Sequence, residues 1–289
     1  MKYFFLIIAL CTGFLFIPPA NAQKAATTGA TKADSLRYKA FVDSAYNALG
    51  NKKPAQTEYF FKKAIETLPK NSANGLIYDN LGRIQRDLGR NEDALTSFTQ
   101  ALDLFPTAIR FLKDRASLLL AMNRNEQAVD DYTKVLSINP KDVQALLYRA
   151  YIYANSRRYD AARRDYTKLL TIEPSNYEGM LGLAVLNQRE GRINEAIQQI
   201  STMISIVPEK AELYAMRAQM EEDKGQIEAA LLDMTEAIAR DNKNKEYYIH
   251  RATLYIKNKE RVKARKDLDA AVKAGTPRAE LRELYKKCQ

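Results

Sequence analysis

The two residue types that most often carry enzyme chemistry are nearly missing from this sequence. Its 289 residues include one histidine, His250, and two cysteines, Cys11 and Cys288. There is also no glycine-rich phosphate loop and no HExxH motif, which disfavours a nucleotide site and a zinc-protease site. No group of residues has the spacing of a metal site. The sequence therefore predicts a non-catalytic protein without a metal or another cofactor.

Long hydrophobic runs are missing as well, except at the N terminus. An apolar run over residues 3–17 is followed by Pro18 and Pro19, and then by Ala20 and Ala22. This order predicts a signal peptide over 1–22 with an Ala-x-Ala cleavage site. As a helix the run would span only about 22 Å, short of the roughly 30 Å bilayer core, which disfavours a retained anchor.

Cysteine is too scarce to form a disulfide within the mature chain. Leu10 precedes Cys11 where a lipoprotein needs a small residue, so lipidation is disfavoured. Cleavage would leave Cys288 alone, and stability must then come from packing. The signal peptide predicts export, to the periplasm of a Gram-negative bacterium or as a secreted protein.

Prolines recur at a fixed distance. Pro106, Pro140, Pro174 and Pro208 are separated by 34 residues each. A regular period of this length is typical of a repeat architecture. It predicts seven units, at 38–71, 75–108, 109–142, 143–176, 177–210, 211–244 and 245–278.

Within each unit, small residues recur where two helices would approach each other. Position 8 is always small and position 20 is alanine in all units but the first, whereas position 24 carries a bulky side chain in every unit. The proline at position 32 cannot continue a helix and sets the turn to the next unit. The residues at position 8 are Ala45, Gly82, Ala116, Ala150, Ala184, Ala218 and Ala252.

This pattern resembles that of tetratricopeptide repeat proteins over residues 38–278. The resemblance implies an all-α fold, a right-handed superhelix (solenoid) of seven helix–turn–helix repeats. Residues 279–289 are predicted to form a capping helix, because Leu281 and Tyr285 lie four residues apart on one helical face. Residues 23–37 are predicted to be a flexible leader, with Asp34 or Ser35 capping the first helix.

The resemblance also implies a binding surface, because the first helices of such repeats line a concave groove. The face it assigns is basic and mixed at one end, apolar and aromatic in the middle and acidic at the other end. This gradient favours a protein or peptide ligand, with Tyr148 and Tyr151 as anchors unless either ring packs against its own hairpin. A clamp for a C-terminal carboxylate is not predicted, since few positions match. The groove residues are Asn80, Arg83, Arg110, Lys113, Leu147, Tyr148, Tyr151, Asn155, Leu181, Met216, Gln219 and His250.

Charged residues at positions 7 and 23 occur together. Four units have arginine at position 7 and aspartate at position 23, and the other three have neither. We infer an ion pair that joins the two helices of one hairpin; an anion site is the less favoured alternative. The pairs are Arg115 with Asp131, Arg149 with Asp165, Arg217 with Asp233, and Arg251 with Asp267.

Positive charge is concentrated near the C terminus. The net charge of the whole chain is +10, and residues 255–289 contain eleven Lys and Arg against five Asp and Glu. This predicts, as an alternative function, a peripheral envelope component that docks on anionic lipid or glycan through its basic end. A solvated cap explains the same charges. A nucleic-acid partner is not expected in an exported protein, and the sequence carries no signal for an oligomeric state.

Overall fold

The computed structural model describes residues 31–289. The predicted signal peptide, 1–22, and leader residues 23–30 lie outside the described residues. Every regular element between residues 31 and 289 is a helix. The predicted all-α fold is confirmed, and the two helices of a hairpin pack against each other in the first, second and fourth to seventh predicted repeats.

The chain divides into two compact units, with the boundary between Arg124 and Asn125. The described part of the first unit contains five helices: α1 Lys32–Gly50, α2 Pro54–Thr67, α3 Asn74–Asp87, α4 Asn91–Leu104 and α5 Ile109–Ala121. The boundary falls inside the third predicted repeat, whose two helices therefore belong to different units.

The second unit begins with α6 and continues with four complete hairpins and a short C-terminal segment. Its helices are α6 Asn125–Ile138, α7 Val143–Asn155, α8 Tyr159–Ile172, α9 Tyr177–Arg189, α10 Ile193–Ile206, α11 Ala211–Asp223, α12 Ile227–Arg240, α13 Lys245–Lys257, α14 Arg261–Lys273, a 3-10 helix Arg278–Leu281 and α15 Arg282–Lys287.

Close packing inside the hairpins explains the small residue at position 8. Gly82 of α3 lies under the ring of Phe98 of α4, and a Cβ atom added to Gly82 would lie 2.7 Å from the Phe98 ring. In the second unit Ala150 is fully buried in one cluster with Tyr166. A larger residue at position 8 would push the bulky side chain at position 24 out of the core.

Each turn between the two helices of a hairpin contains one residue with positive φ, always at position 15. These residues are Lys52, Gly89, Asn123, Arg157, Gly191, Gly225 and Lys259. The residue after it bonds back into the first helix, as when Arg192 N–H donates to the Asn187 carbonyl at 2.8 Å. This is the geometry of a left-handed helix C-cap, which glycine adopts without strain.

The N-terminal helix is longer than predicted. Helix α1 begins at Lys32, so residues 32–37 of the predicted leader are helical. Thr31, and not Asp34 or Ser35, is the N-cap: its hydroxyl accepts from Asp34 N–H, and the Asp34 carboxylate accepts from Thr31 N–H. This capping box starts the helix despite the small, polar composition of the segment.

The C-terminal segment covers the last hairpin. It consists of the 3-10 helix and the six-residue α15 where one capping helix was predicted. Leu281 is buried and packs in one cluster with Leu268 and Ala271 of α14. The segment removes apolar surface of the last hairpin from water, as terminal caps of repeat arrays do.

Candidate functional site

The predicted groove residues of the second unit lie on its successive first helices, α7, α9, α11 and α13. We call the surface formed by Leu147, Tyr148, Tyr151, Asn155, Leu181, Met216, Gln219 and His250 the first-helix face. On α7, Leu147 and Tyr148 lie four and three residues before Tyr151, and Asn155 lies four residues after it, which places them on one side of the helix. All eight are half-buried or exposed.

The apolar members of the first-helix face pack against the hydrophobic core. Leu147 packs against the cluster that contains Ala150 and Tyr166, while Leu181 and Met216 pack against a second cluster. Each remains partly open to water. The side chains are therefore fixed in position and still present apolar surface, which is what a preorganised contact surface requires.

Tyr148 packs against the preceding hairpin. Its ring stacks on that of Tyr132 in α6, with centroids 5.8 Å apart and an angle of 17° between the ring planes. Tyr132 is fully buried. Part of the Tyr148 ring is thus used in the contact between two hairpins, whereas the sequence suggested either a ligand anchor or packing within its own hairpin.

The polar members nearest α13 form a network centred on Glu222. His250 Nε2 lies 2.7 Å from Glu222 Oε2, and Lys257 Nζ lies 2.5 Å from Oε1. Gln219 donates to Glu222 at 3.2 Å and to Asp223 at 3.1 Å. Burial raises the pKa of Glu222, but the hydrogen bonds from Lys257 and His250 outweigh it and lower that pKa. His250 is engaged with a carboxylate.

Polar contacts also link the other first helices. Arg189 of α9 donates to Asn155 Oδ1 at 3.0 Å and to the Ala154 carbonyl at 3.3 Å. Gln188 donates to Asp223 Oδ2 at 3.4 Å. These contacts align neighbouring first helices and leave Asn155 and Gln219 exposed on the surface.

The remaining predicted groove residues, Asn80, Arg83, Arg110 and Lys113, belong to the first unit. Asn80 donates to the Tyr46 hydroxyl at 3.2 Å. Arg110 Nη2 lies 2.9 Å from Asp79 Oδ2. Two of these side chains are therefore committed to neighbours within the unit, and Arg83 and Lys113 are half-buried.

Asp79 is a fully buried carboxylate in this part of the first unit. Arg110 is close enough for an ion pair, but among the described residues no hydrogen bond of good geometry reaches either carboxylate oxygen. Burial raises the pKa of Asp79 to about 7; Arg110 and Arg83 pull it down and Asp114 pushes it up. Asp79 occupies a position that is apolar in most other repeats, so the sequence marks the residue as unusual but does not reveal its burial.

The structure brings together three of the four arginine–aspartate pairs. Arg149 donates to the two carboxylate oxygens of Asp165 at 2.7 and 2.8 Å. The corresponding pairs are Arg217 with Asp233, at 2.6 and 2.7 Å, and Arg251 with Asp267, at 2.8 Å for both bonds. All three aspartates are buried. Planar, bidentate contacts of this kind are strong and directional.

Each of these arginines makes one further contact that the sequence analysis missed. Arg149 Nη1 donates to Thr133 Oγ1 at 3.0 Å, in the second helix of the preceding hairpin. Arg217 contacts Ser201 at 2.9 Å and Arg251 contacts Thr235 at 3.1 Å in the same way. Position 25 holds Ser or Thr before every one of the four arginines, so the signal was present in the repeat alignment.

The fourth pair stays a prediction. Arg115 and Asp131 lie in different units. Within the first unit Arg115 Nη1 donates to Thr99 Oγ1 at 3.3 Å. Asp131 is buried in the second unit.

The structure also contains a second series of ion pairs that was not predicted from the sequence. Arg124 pairs with Glu92 and Arg158 with Glu126, each across 32 residues from one turn to the preceding second helix. These side chains are 39% to 71% exposed. Water screens such pairs, so each contributes little to stability.

Residues 31–289 contain no group of three or more His, Cys, Asp or Glu side chains that could hold a metal ion. In the same part of the chain no helix has the length and apolar character needed to cross a bilayer.

Three tetratricopeptide repeat family models match the sequence, at residues 77–104, 113–176 and 156–220. The chain is a tetratricopeptide repeat protein. Proteins built from these repeats are generally non-catalytic scaffolds for protein–protein interaction. No curated protein matches the sequence.

Solved structures of other tetratricopeptide repeat proteins share the fold. One from Parabacteroides merdae is 27% identical, with a TM-score of 0.66 over 88% of this chain and 99% of that chain. MamA from Desulfovibrio magneticus RS-1 has a TM-score of 0.53 and 16% identity, over 58% of this chain and 94% of its own. YrrB, described as a TPR protein with an unusual peptide-binding site, has a TM-score of 0.50 and 18% identity, over 62% and 92%.

Proposed function

We propose that this tetratricopeptide repeat protein is a non-catalytic scaffold that binds an extended polypeptide along the first-helix face of its second unit, within a concave groove. The observation that supports the proposal is a row of partly exposed apolar side chains, Leu147, Leu181 and Met216, each fixed from below by a core cluster. When a partner covers apolar side chains that are already ordered, the free energy of binding becomes more favourable without a further cost in side-chain entropy.

The polar groups around this row suit a peptide backbone and set its direction. Asn155 and Gln219 are exposed amides that can bond to main-chain groups of a partner. Glu212 and Glu246 are exposed at the first turns of α11 and α13. A partner segment with apolar side chains followed by Lys or Arg matches this arrangement. The peptide-binding site named for YrrB shows that the fold can serve this purpose in another protein.

The test is the affinity for peptides selected against the mature protein, measured by fluorescence anisotropy. Tyr151→Ser and Leu181→Ser should each weaken binding by about tenfold or more, the size expected for an anchor residue. Leu232→Ser is the matched control, because Leu232 is 71% exposed on α12, away from the first-helix face. Equal affinities for all four proteins would overturn the proposal. Tyr148 is left unchanged, since its ring supports Tyr132.

We further propose that the protein acts in the cell envelope, in the periplasm of a Gram-negative bacterium, or as a secreted protein. The support is the sequence of residues 1–22, with its apolar run and Ala-x-Ala site. Protein recovered from the native host should begin at Gln23 when its N terminus is sequenced. A mature chain that begins at Met1 and stays in the cytoplasmic fraction would contradict export.

A further inference from the structure

Helix α14 has an outer surface unlike that of the other second helices. Ala264, Asp267, Leu268 and Ala271 are buried and point into the protein. At 100° per residue, the opposite side is formed by residues spaced i, i+4, i+7 and i+11. These are Val262, Lys266, Asp269 and Lys273, with Arg261 and Arg265 beside them, and all six are exposed. We call them the α14 outer face.

The repeats provide an internal comparison for this face. The same four positions hold Glu126, Asp130, Thr133 and Ser137 in α6, and Asp160, Arg164, Thr167 and Thr171 in α8. In α10 they are Asn194, Gln198, Ser201 and Ser205. Three helices with at most one cation at these four positions, Arg164 of α8, therefore satisfy the same helix packing. The hairpin fold does not require the lysines of α14.

The cations of the α14 outer face form no ion pair within the part of the chain that the structure describes. Among the described residues, no carboxylate lies within ion-pair distance of Arg261, Arg265, Lys266 or Lys273. The one acid of the face, Asp269, accepts a hydrogen bond from the Tyr285 hydroxyl at 2.6 Å. Four cations along one helix thus face the solvent together.

An exposed apolar residue lies at the start of the same face. Val262 is 74% exposed, the highest value among the large hydrophobic residues that the structure describes. A surface that only kept the last hairpin soluble would be expected to be polar throughout. A cationic helix with an exposed apolar residue fits the interface of an anionic bilayer, where cations meet head groups and apolar atoms enter the acyl boundary.

We propose that the α14 outer face docks the protein on an anionic phospholipid surface. The contact is peripheral: the helix lies along the head groups, and no segment within residues 31–289 crosses the bilayer. It uses α14 alone and leaves the first-helix face of α7, α9 and α11 for a polypeptide, so the two proposals stand or fall separately.

The test is co-sedimentation of the full mature chain with phosphatidylcholine vesicles, with or without about 30% phosphatidylglycerol. The wild type should bind only the anionic vesicles, and binding should fall steeply between about 0.05 and 0.5 M NaCl because salt screens the attraction. The triple variant Arg265→Gln/Lys266→Gln/Lys273→Gln should lose on the order of a hundredfold in affinity.

The matched control removes the same charge elsewhere. Lys134→Gln/Arg164→Gln/Lys168→Gln changes three exposed cations on α6 and α8, and it should bind within about twofold of wild type. If both triple variants lost the same affinity for anionic vesicles, net charge alone would explain the binding, and the assignment to α14 would be overturned. No binding of the wild type would also overturn it, as would equally tight binding of soluble polyglutamate, which would point to an acidic protein. Circular dichroism and melting of all variants check that the fold is kept.

Discussion

Arg149 and Asp165 join the two helices of one hairpin through two parallel hydrogen bonds, of 2.7 and 2.8 Å. Both side chains are largely removed from water, with 18% and 8% exposed. An arginine held in this way is a poor trap for an external anion. The geometry therefore supports the structural interpretation of the position 7 and position 23 pattern.

Removing Asp165 should destabilise the second unit. Asp165→Ala leaves a mostly buried guanidinium without its counter-ion, at a cost of about 3–5 kcal/mol in the free energy of unfolding. Chemical denaturation measures this cost. Glu126→Ala is the control, because it breaks an exposed pair with Arg158 and should cost at most about 1 kcal/mol. Similar losses for both variants would show that Asp165 is solvated in solution.

Asp79 should make the first unit less stable as the pH rises. Its pKa is raised by burial from 3.8 to about 7. Between these values the folded protein holds a proton that the unfolded chain has released, so stability falls with pH by up to about 1.4 kcal/mol per unit and levels off above pH 7. Asp79→Asn should flatten this dependence in urea titrations from pH 5 to 8. The exposed Asp87→Asn should keep the wild-type slope, and a parallel slope for Asp79→Asn would contradict the assignment.

Glu58 should show the opposite dependence. Burial raises its pKa, but hydrogen bonds from Arg90, Lys62 and Gln85 outweigh burial and lower that pKa to about 2. A depressed pKa contributes stability above the ordinary value of 4.5, which is lost as the pH falls through 2. Glu58→Gln should therefore be less stable than wild type at pH 7, with a difference that shrinks toward pH 2. Glu66→Gln, in an exposed pair with Lys63, should show no such convergence.

The turn residues at position 15 allow a paired test of backbone strain. Arg157 has a φ of 59° and Gly191 a φ of 76°, both in the left-handed region. Arg157→Gly should raise the free energy of unfolding by about 0.5–1 kcal/mol, since relief of strain exceeds the entropic cost of glycine. Gly191→Ala should lower it by about 1 kcal/mol. If thermal and urea unfolding gave both changes the same sign, backbone strain at position 15 would not be what determines their effect on stability.

The periodic features could be predicted from the sequence because each one recurs. Small residues at position 8, prolines near position 32 and the linked arginines and aspartates repeat at fixed spacing, so each repeat tests the others. The start of α1 was missed, because the capping box of Thr31 and Asp34 occurs once and outweighs the composition around it. The burial of Asp79 and the stacking of Tyr148 on Tyr132 depend on how neighbouring hairpins pack, which no single position reveals.

In the second unit, arginines at position 7 bond to the preceding hairpin, and these bonds affect how the unit unfolds. In a linear array each hairpin touches only its neighbours, so cooperativity depends on the strength of every junction in turn. The contacts of Arg149, Arg217 and Arg251 with Thr133, Ser201 and Thr235 tie three junctions by one kind of bond. At the α8–α9 junction Leu183 replaces the arginine, and Arg163 bonds to Asn187 and Glu190 instead. Hydrogen exchange along the unit should therefore change rate at this junction, dividing it into two blocks that open separately.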